Sequence, residues 1–288
     1  MLDWNTPKLS DKEWIEKCVK ESQYIGSDAA FANIYLLRSK YNIKVTYYKD
    51  LLIRYYEGLG NRKGYTFPLG RKDVLSALYA IEQDAKEMNR PLEFCFVTEE
   101  QKEILENTFA GRTESSSDAG DYDYIYGQPE LSLLSGRTYH KKKNHVSKFK
   151  RTYEDYMFCE IGNGNLDDVM LIEDEWYYDR LQQDDTSAMK EYEAIREAVD
   201  NFEELSLSGG IIYANNVPVA MTIASYINDA AVDIHFEKAV GEYAVNGGFA
   251  AINQMYASTL KDVKYINREE DINIPGLRKA KESYHPKF

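Results

Sequence analysis

Residues 209–261 read GGIIYANNVPVAMTIASYINDAAVDIHFEKAVGEYAVNGGFAAINQMYASTLK, and this stretch decides the fold. Two strand-like runs, residues 211–214 and 218–226, are joined by Asn215-Asn216, a dipeptide that tolerates the positive φ of a tight hairpin. A third run, residues 231–239, follows Asn228-Asp229. Within it Val232, Ile234 and Phe236 alternate with Asp233, His235 and Glu237. Period-two alternation predicts an apolar face and an acid–imidazole–acid face. The chain then passes Gly241, Gly247 and Gly248 and enters residues 249–260, where Phe249, Ile252, Tyr256 and Leu260 recur at helical spacing. A helix start marked by glycines offers outward backbone N–H groups to an anion.

Working outward, a helix is expected at residues 166–181, another at 188–203, a strand at 263–267 and a helix at 276–283. The first half repeats the plan. Strands at 44–49 and 51–57 turn at Lys49-Asp50, a third runs over 64–69, a helix over 72–88, a strand over 92–97 and a helix over 99–109. The shared order predicts a duplicated α/β (α+β) architecture, each unit a mixed, mostly antiparallel sheet flanked by helices. Gly127, Pro129 and Gly136 punctuate the middle, so the expected units are residues 1–130 and 131–288, the second carrying the cleft.

Bulk properties narrow the function classes. The 288 residues are 43% hydrophobic with 24 tyrosines, enough for sizeable cores. No apolar run reaches membrane-spanning length and the N-terminus lacks a signal-peptide pattern, so a cytoplasmic location is the expectation. Cys18, Cys95 and Cys159 are odd in number and form no CxxC pattern, which predicts buried free thiols. The net charge of −13 disfavours general binding to polyanions. Against that background, residues 137–151 hold Arg137, Lys141, Lys142, Lys143, Lys148, Lys150 and Arg151 with no acid among them. His140 and His145, with no cysteine or paired carboxylate nearby, do not make a metal site.

Two segments carry a family resemblance. Residues 134–148 (LSGRTYHKKKNHVSK) and 265–288 (YINREEDINIPGLRKAKESYHPKF) resemble the C-terminal domain of phosphatidylglycerol lysyltransferases. Gly276-Leu277-Arg278, Lys281, Tyr284 and Pro286 are similar to the GLR-x-x-K-x-x-F/Y-x-P ending of that family. The basic stretch is similar to the helix opening the second unit of those enzymes and of the Fem peptidyltransferases. The resemblance spans essentially the whole chain and implies a tandem pair of Gcn5-related acyltransferase-like units. It also implies transfer of an acyl group, in one version aminoacyl from a charged tRNA, to an amine or hydroxyl of a small-molecule, lipid or peptide acceptor.

Candidate site residues follow from both readings. His235 and Glu237 are the candidates to take the proton released when an acceptor attacks; the alternative has His235 and Asp233 bonded within the sheet. Asn246, Gly247 and Gly248 could approach a pyrophosphate or a terminal adenosine phosphate. The segment from Gly241 nevertheless lacks the cationic first residue of the acyl-CoA fingerprint, and a plain turn fits as well. Tyr284 stands where the resemblance places a tyrosine that protonates the leaving group, or it simply packs. Arg278 and Lys281 share a helix face and could hold an anion, or could pair with Glu269 and Glu270. Arg268 and Glu269 end the strand at 263–267, as an ion pair or as part of the site. Arg137, Lys141, Lys142, Lys143 and Lys148 could track a nucleic-acid backbone, with a tRNA acceptor end as the implied partner. No resident cofactor is expected, the donor is aminoacyl-tRNA or acyl-CoA, and a monomer is expected. A non-catalytic binding protein on the same fold is the remaining alternative.

Overall fold

The computed structural model describes residues 2–58, 62–182 and 188–288. The chain divides into two compact units, Met1–Tyr122 and Asp123–Phe288.

In the first unit, α1 (Lys12–Ser22) and α2 (Phe31–Leu36) precede β1 (Lys44–Tyr48), β2 (Leu51–Glu57), β3 (Lys63–Thr66), α3 (Val74–Glu87), β4 (Phe94–Cys95) and α4 (Glu99–Thr108). Strands β1 to β3 are antiparallel, and β4 joins β3 in parallel after the α3 crossover. Lys49 and Asp50 both take positive φ (50° and 64°), the mirror-image turn whose twist matches a hairpin. Leu51, Ile53, Tyr55 and Tyr65 pack on Ala77, Leu78 and Ile81 of α3. Asp84 is buried beneath that face and made tolerable by its donors: Arg90 at 2.6 Å, the Tyr65 hydroxyl at 2.8 Å and the Trp4 indole at 3.2 Å. The three cysteines are free; burial pushes the Cys18 thiol up to about 11 and that of Cys95 up to about 12.

In the second unit, β5 (Ile125–Gly127), α5 (Gln128–Leu133), α6 (His140–Thr152), β6 (Met157–Glu160), α7 (Leu166–Leu181) and α8 (Ala188–Asp200) come first. They lead into β7 (Ser208–Ala214), β8 (Val217–Asn228), β9 (Ala231–Ala239), α9 (Gly241–Val245), α10 (Gly248–Thr259), β10 (Tyr265–Asn267) and α11 (Pro275–Glu282). The sheet order is β5-β10-β9-β8-β7-β6, with β10 parallel to β9 and every other pairing antiparallel. Asn215 and Asn216 turn the β7–β8 hairpin with φ of 53° and 61°. Three antiparallel strands, a helix and a strand parallel to the third thus recur in both units, the tandem acyltransferase-type α/β plan. The division falls at Tyr122/Asp123 rather than near Leu131, because β5 pairs with β10 and so belongs to the second sheet.

Two details of β9 set up the site. Ile223 pairs with Phe236 and Ala224 with Ile234, which leaves His235 as the extra residue of a β-bulge. A one-residue bulge reverses which face the following side chains take. Val232 and Ile234 pack with Ala250 and Tyr256 of α10, and beyond the bulge Glu237 and Ala239 turn to that same helix. Lys238 turns the other way, to Glu173 on α7 and Glu191 on α8. Asp233, His235 and Glu237 therefore do not share one polar face, against the strict alternation expected from the sequence. The second detail is length. Strand β10 pairs with β9 only from Tyr265↔Ala231 to Asn267↔Asp233, whereas β9 runs on to Ala239, so the two parallel strands part beyond Asp233.

Candidate active site

Parallel strands that diverge at their carboxyl ends leave a crevice there, the usual position for a ligand in an α/β sheet. Glu237 and Arg268 fill this one. The Arg268 guanidinium, just past the end of β10, donates through Nη2 to Glu237 Oε1 at 2.7 Å. Asn253 of α10 donates to Glu237 Oε2 at 3.0 Å, so both carboxylate oxygens are held. Neither Arg268 Nη1 nor Asn253 Oδ1 has a hydrogen-bond partner, and both atoms are buried. An unused buried donor and an unused buried acceptor each cost about 1–3 kcal/mol.

Tyr284 and Lys142 complete the wall. Tyr284 is buried, edge-on to Tyr126 at 6.2 Å, and burial raises both phenols above their ordinary range. Two cations lie over its ring, Lys142 Nζ at 3.8 Å and the Arg268 guanidinium at 4.9 Å. Lys142 reaches the crevice because it occupies the inward stripe of α6. Tyr139, Lys142, Val146 and Phe149 follow one another at helical spacing, and Val146 and Phe149 are buried. Burial, reinforced by the charge of Arg268 and opposed by that of Glu237, pushes the Lys142 ammonium down to about 8.

His235 lies elsewhere. Its Nε2 is 2.7 Å from Ser225 Oγ, and its Nδ1 is 3.3 Å from Asp233 Oδ2 and 3.6 Å from Glu269 Oε1. Its side chain is 1% exposed, so the imidazole is a buried link between strands and does not open on the crevice. Burial, with Glu269, Asp123 and Glu270 close by, holds the Asp233 carboxyl well above the usual carboxylate range. Asp233, His235 and Glu269 are the one group of metal-ligating type among the described residues, their atoms within 4.8 Å of one another.

The residues expected to hold a phosphate have other work. Asn246 donates to the Tyr153 hydroxyl at 2.8 Å. Gly247, at φ 103°, is buried against α6, where an added Cβ would stand 2.4 Å from the His145 carbonyl oxygen. Gly248 is likewise pressed against the Tyr243 carbonyl. The glycine pair lets α10 close on its neighbours, and Gly247→Ala is expected to cost about 2–4 kcal/mol, read as a lowered denaturation midpoint. Arg278 forms a two-pronged pair with Asp271, at 2.7 and 2.8 Å, and also bonds Asn273. Lys281 is buried and spends its ammonium on the carbonyls of Arg268 (2.5 Å), Glu269 (3.2 Å) and Glu270 (2.6 Å). Arg278 and Lys281 thus clamp the loop that carries Arg268.

The basic island is the outer face of α6 and the turn before it. Arg137, Lys141, Lys143 and Lys148 are exposed, and no ion pair involves them among the described residues. Lys148 makes a long contact to the Val245 carbonyl at 3.5 Å. His140 and His145 are exposed on the same helix, outside any metal-ligating group. No described helix is long and apolar enough to cross a membrane.

Comparison with known proteins bears on this arrangement. A conserved protein of unknown function from Bacteroides thetaiotaomicron VPI-5482 is 30% identical, with TM-score 0.93 over 100% of this chain and 97% of that one. L-PGS from Bacillus licheniformis has the same fold at 15% identity, TM-score 0.66, over 96% of this chain and 88% of that one. So does the C-terminal domain of a putative lysylphosphatidylglycerol synthetase from Agrobacterium fabrum, at 13% identity, TM-score 0.64, over 96% and 89%. No curated protein matches. The family model described as phosphatidylglycerol lysyltransferase, C-terminal, matches residues 20–288. With the match running through both units and through the Arg268–Glu237 crevice, the chain belongs to the phosphatidylglycerol lysyltransferase C-terminal family.

Proposed function

We propose that this protein transfers an acyl group to an amine or hydroxyl acceptor in the crevice between β9 and β10, with aminoacyl-tRNA as donor. The observation that carries the reading is the buried, unpartnered Nη1 of Arg268, fixed beside Glu237, Lys142 and Tyr284. Attack on an ester carbonyl builds negative charge on its oxygen. A preorganised donor in a water-poor site stabilises that charge without reorganising during the reaction. Glu237, itself held by Asn253, keeps the guanidinium in place, and the Tyr284 hydroxyl, kept protonated by burial, can donate a hydrogen bond to the departing oxygen. His235 acts at a distance, as a strut of β9.

The choice of donor rests on two observations. The glycine segment that would cradle a CoA pyrophosphate is packed shut against α6. The exposed cations of α6 present a single-sign stripe on an acidic chain, suited to a phosphate backbone. Labelled aminoacyl-tRNA is to be incubated with the protein and with lipid, amine and peptide acceptors. Transfer that weakens steeply with salt supports the reading; transfer from acyl-CoA but from no charged tRNA would sink the donor assignment. Changing Arg137, Lys141 and Lys143 to glutamate is expected to raise KM for the tRNA about tenfold or more with kcat little changed.

A further inference from the structure

Lys142 stands apart from the exposed Arg137, Lys141, Lys143 and Lys148 of the basic island. It turns inward, onto the Tyr284 ring, and its ammonium makes no hydrogen bond or ion pair among the described residues. Around it stand Glu237 of β9, Arg268 after β10 and Tyr284 after α11. Glu237, the other group able to take a proton here, already accepts on both oxygens from Arg268 and Asn253. Lys142 has no bond to break first. Burial and the Arg268 guanidinium over the same ring favour release of its proton, against the hold that the ring face and Glu237 have on the charged form.

Resting on the transfer reading above, we propose that Lys142 is the catalytic group that removes the acceptor's proton and returns it to the leaving oxygen. In the first half, the neutral amine takes the proton from the acceptor's N–H or O–H as that atom bonds to the acyl carbon. The carbonyl oxygen takes up the electron pair opposite Arg268 Nη1. In the second half, the carbonyl reforms, the bond from the acyl carbon to the donor oxygen breaks, and that oxygen receives the proton held on Lys142. One ester is consumed, one amide or ester and one hydroxyl are formed, and the enzyme is restored. The step needs no further reactant.

The full chain is tested with aminoacyl-tRNA and an acceptor that does not titrate in the range used, from about pH 6 to 10. The wild-type rate is expected to rise with a midpoint near 8. Lys142→Arg keeps the cation and its place over Tyr284 but cannot release the proton. It is expected to lose roughly 10²- to 10³-fold in kcat and the rising limb with it. In Lys142→Ala, added ethylamine is expected to restore part of the rate. Trace labelling with acetic anhydride reads the same amine without turnover, and Lys142 is expected to become reactive at lower pH than Lys141 and Lys143. A Lys142→Arg protein within about threefold of wild type that keeps its rising limb overturns the proposal while the transfer reading stands. Labelling of Lys142 in step with Lys141 and Lys143 overturns it as well. A wild-type protein that transfers from no donor overturns both.

Discussion

Arg268→Lys is expected to reduce acyl transfer by roughly 10²- to 10³-fold while leaving the protein folded, with a melting temperature within a few degrees of wild type. Lysine can keep a positive charge beside Glu237, so the buried carboxylate is not stranded, an outcome that would cost about 3–5 kcal/mol. What lysine lacks is the fork. Arginine spends Nη2 on Glu237 at 2.7 Å and presents Nη1 separately; an ammonium serving both the carboxylate and a developing oxyanion serves each worse. The loss is expected in kcat, because an oxyanion exists only after attack. Single-turnover rates with bound donor would locate it. A variant that transfers within about threefold of wild type would mean that Nη1 does not meet the reacting oxygen, and the crevice would have to be read as a binding cleft.

The legible part of this molecule is the part that local pattern determines. Asn215-Asn216 fixes a turn by its tolerance of positive φ, and Phe249, Ile252, Tyr256 and Leu260 reveal a helix by their spacing; both appear where the sequence puts them. Alternation in residues 231–239 was readable too, but the bulge at His235 was not, because nothing local requires the extra residue to fall there. That single shift puts Glu237 and His235 on opposite faces of the sheet. The glycine pair at 247–248 and the ending with Arg278 and Lys281 look like anion binders in sequence, since a bare cation or glycine does not announce its partner. Their partners are the His145 carbonyl, Asp271 and the carbonyls of residues 268–270, all supplied by tertiary contact. Lys142 shares the stripe of Tyr139, Val146 and Phe149, and a lysine on an apolar stripe is a lysine facing the interior.

The clamp formed by Arg278 makes the largest stability prediction. Asp271 is fully buried and accepts from Arg278 Nε and Nη2, from the Tyr124 hydroxyl at 2.6 Å and from the Asn273 backbone at 2.8 Å. Hydrogen bonding from Arg278, outweighing the opposing effect of burial, holds the Asp271 carboxyl down to about 2. Its folded pKa is below the unfolded value of about 3.9, so the stabilisation is complete above that unfolded value. It is lost as pH falls through about 2. Asp271→Ala should remove it at neutral pH. Stranding the partner of a fully buried pair costs about 3–5 kcal/mol, but the Arg278 side chain is 35% exposed and regains water, so about 2–3 kcal/mol is expected. In a domain of this size that is a fall of roughly 5–10 °C in melting temperature. The same change loosens the start of α11, which carries Lys281 and hence the carbonyls fixing Arg268, so transfer should fall even where the protein remains folded. The double variant Asp271→Leu with Arg278→Met separates the causes, since it removes both charges together and leaves neither stranded. It is expected to recover much of the lost stability but little of the activity, because an apolar pair packs without setting the angle of the 268–270 loop. If the Ala variant melts within about 1 °C of wild type at neutral pH, the clamp is a surface pair and its hold on Arg268 is lost with it.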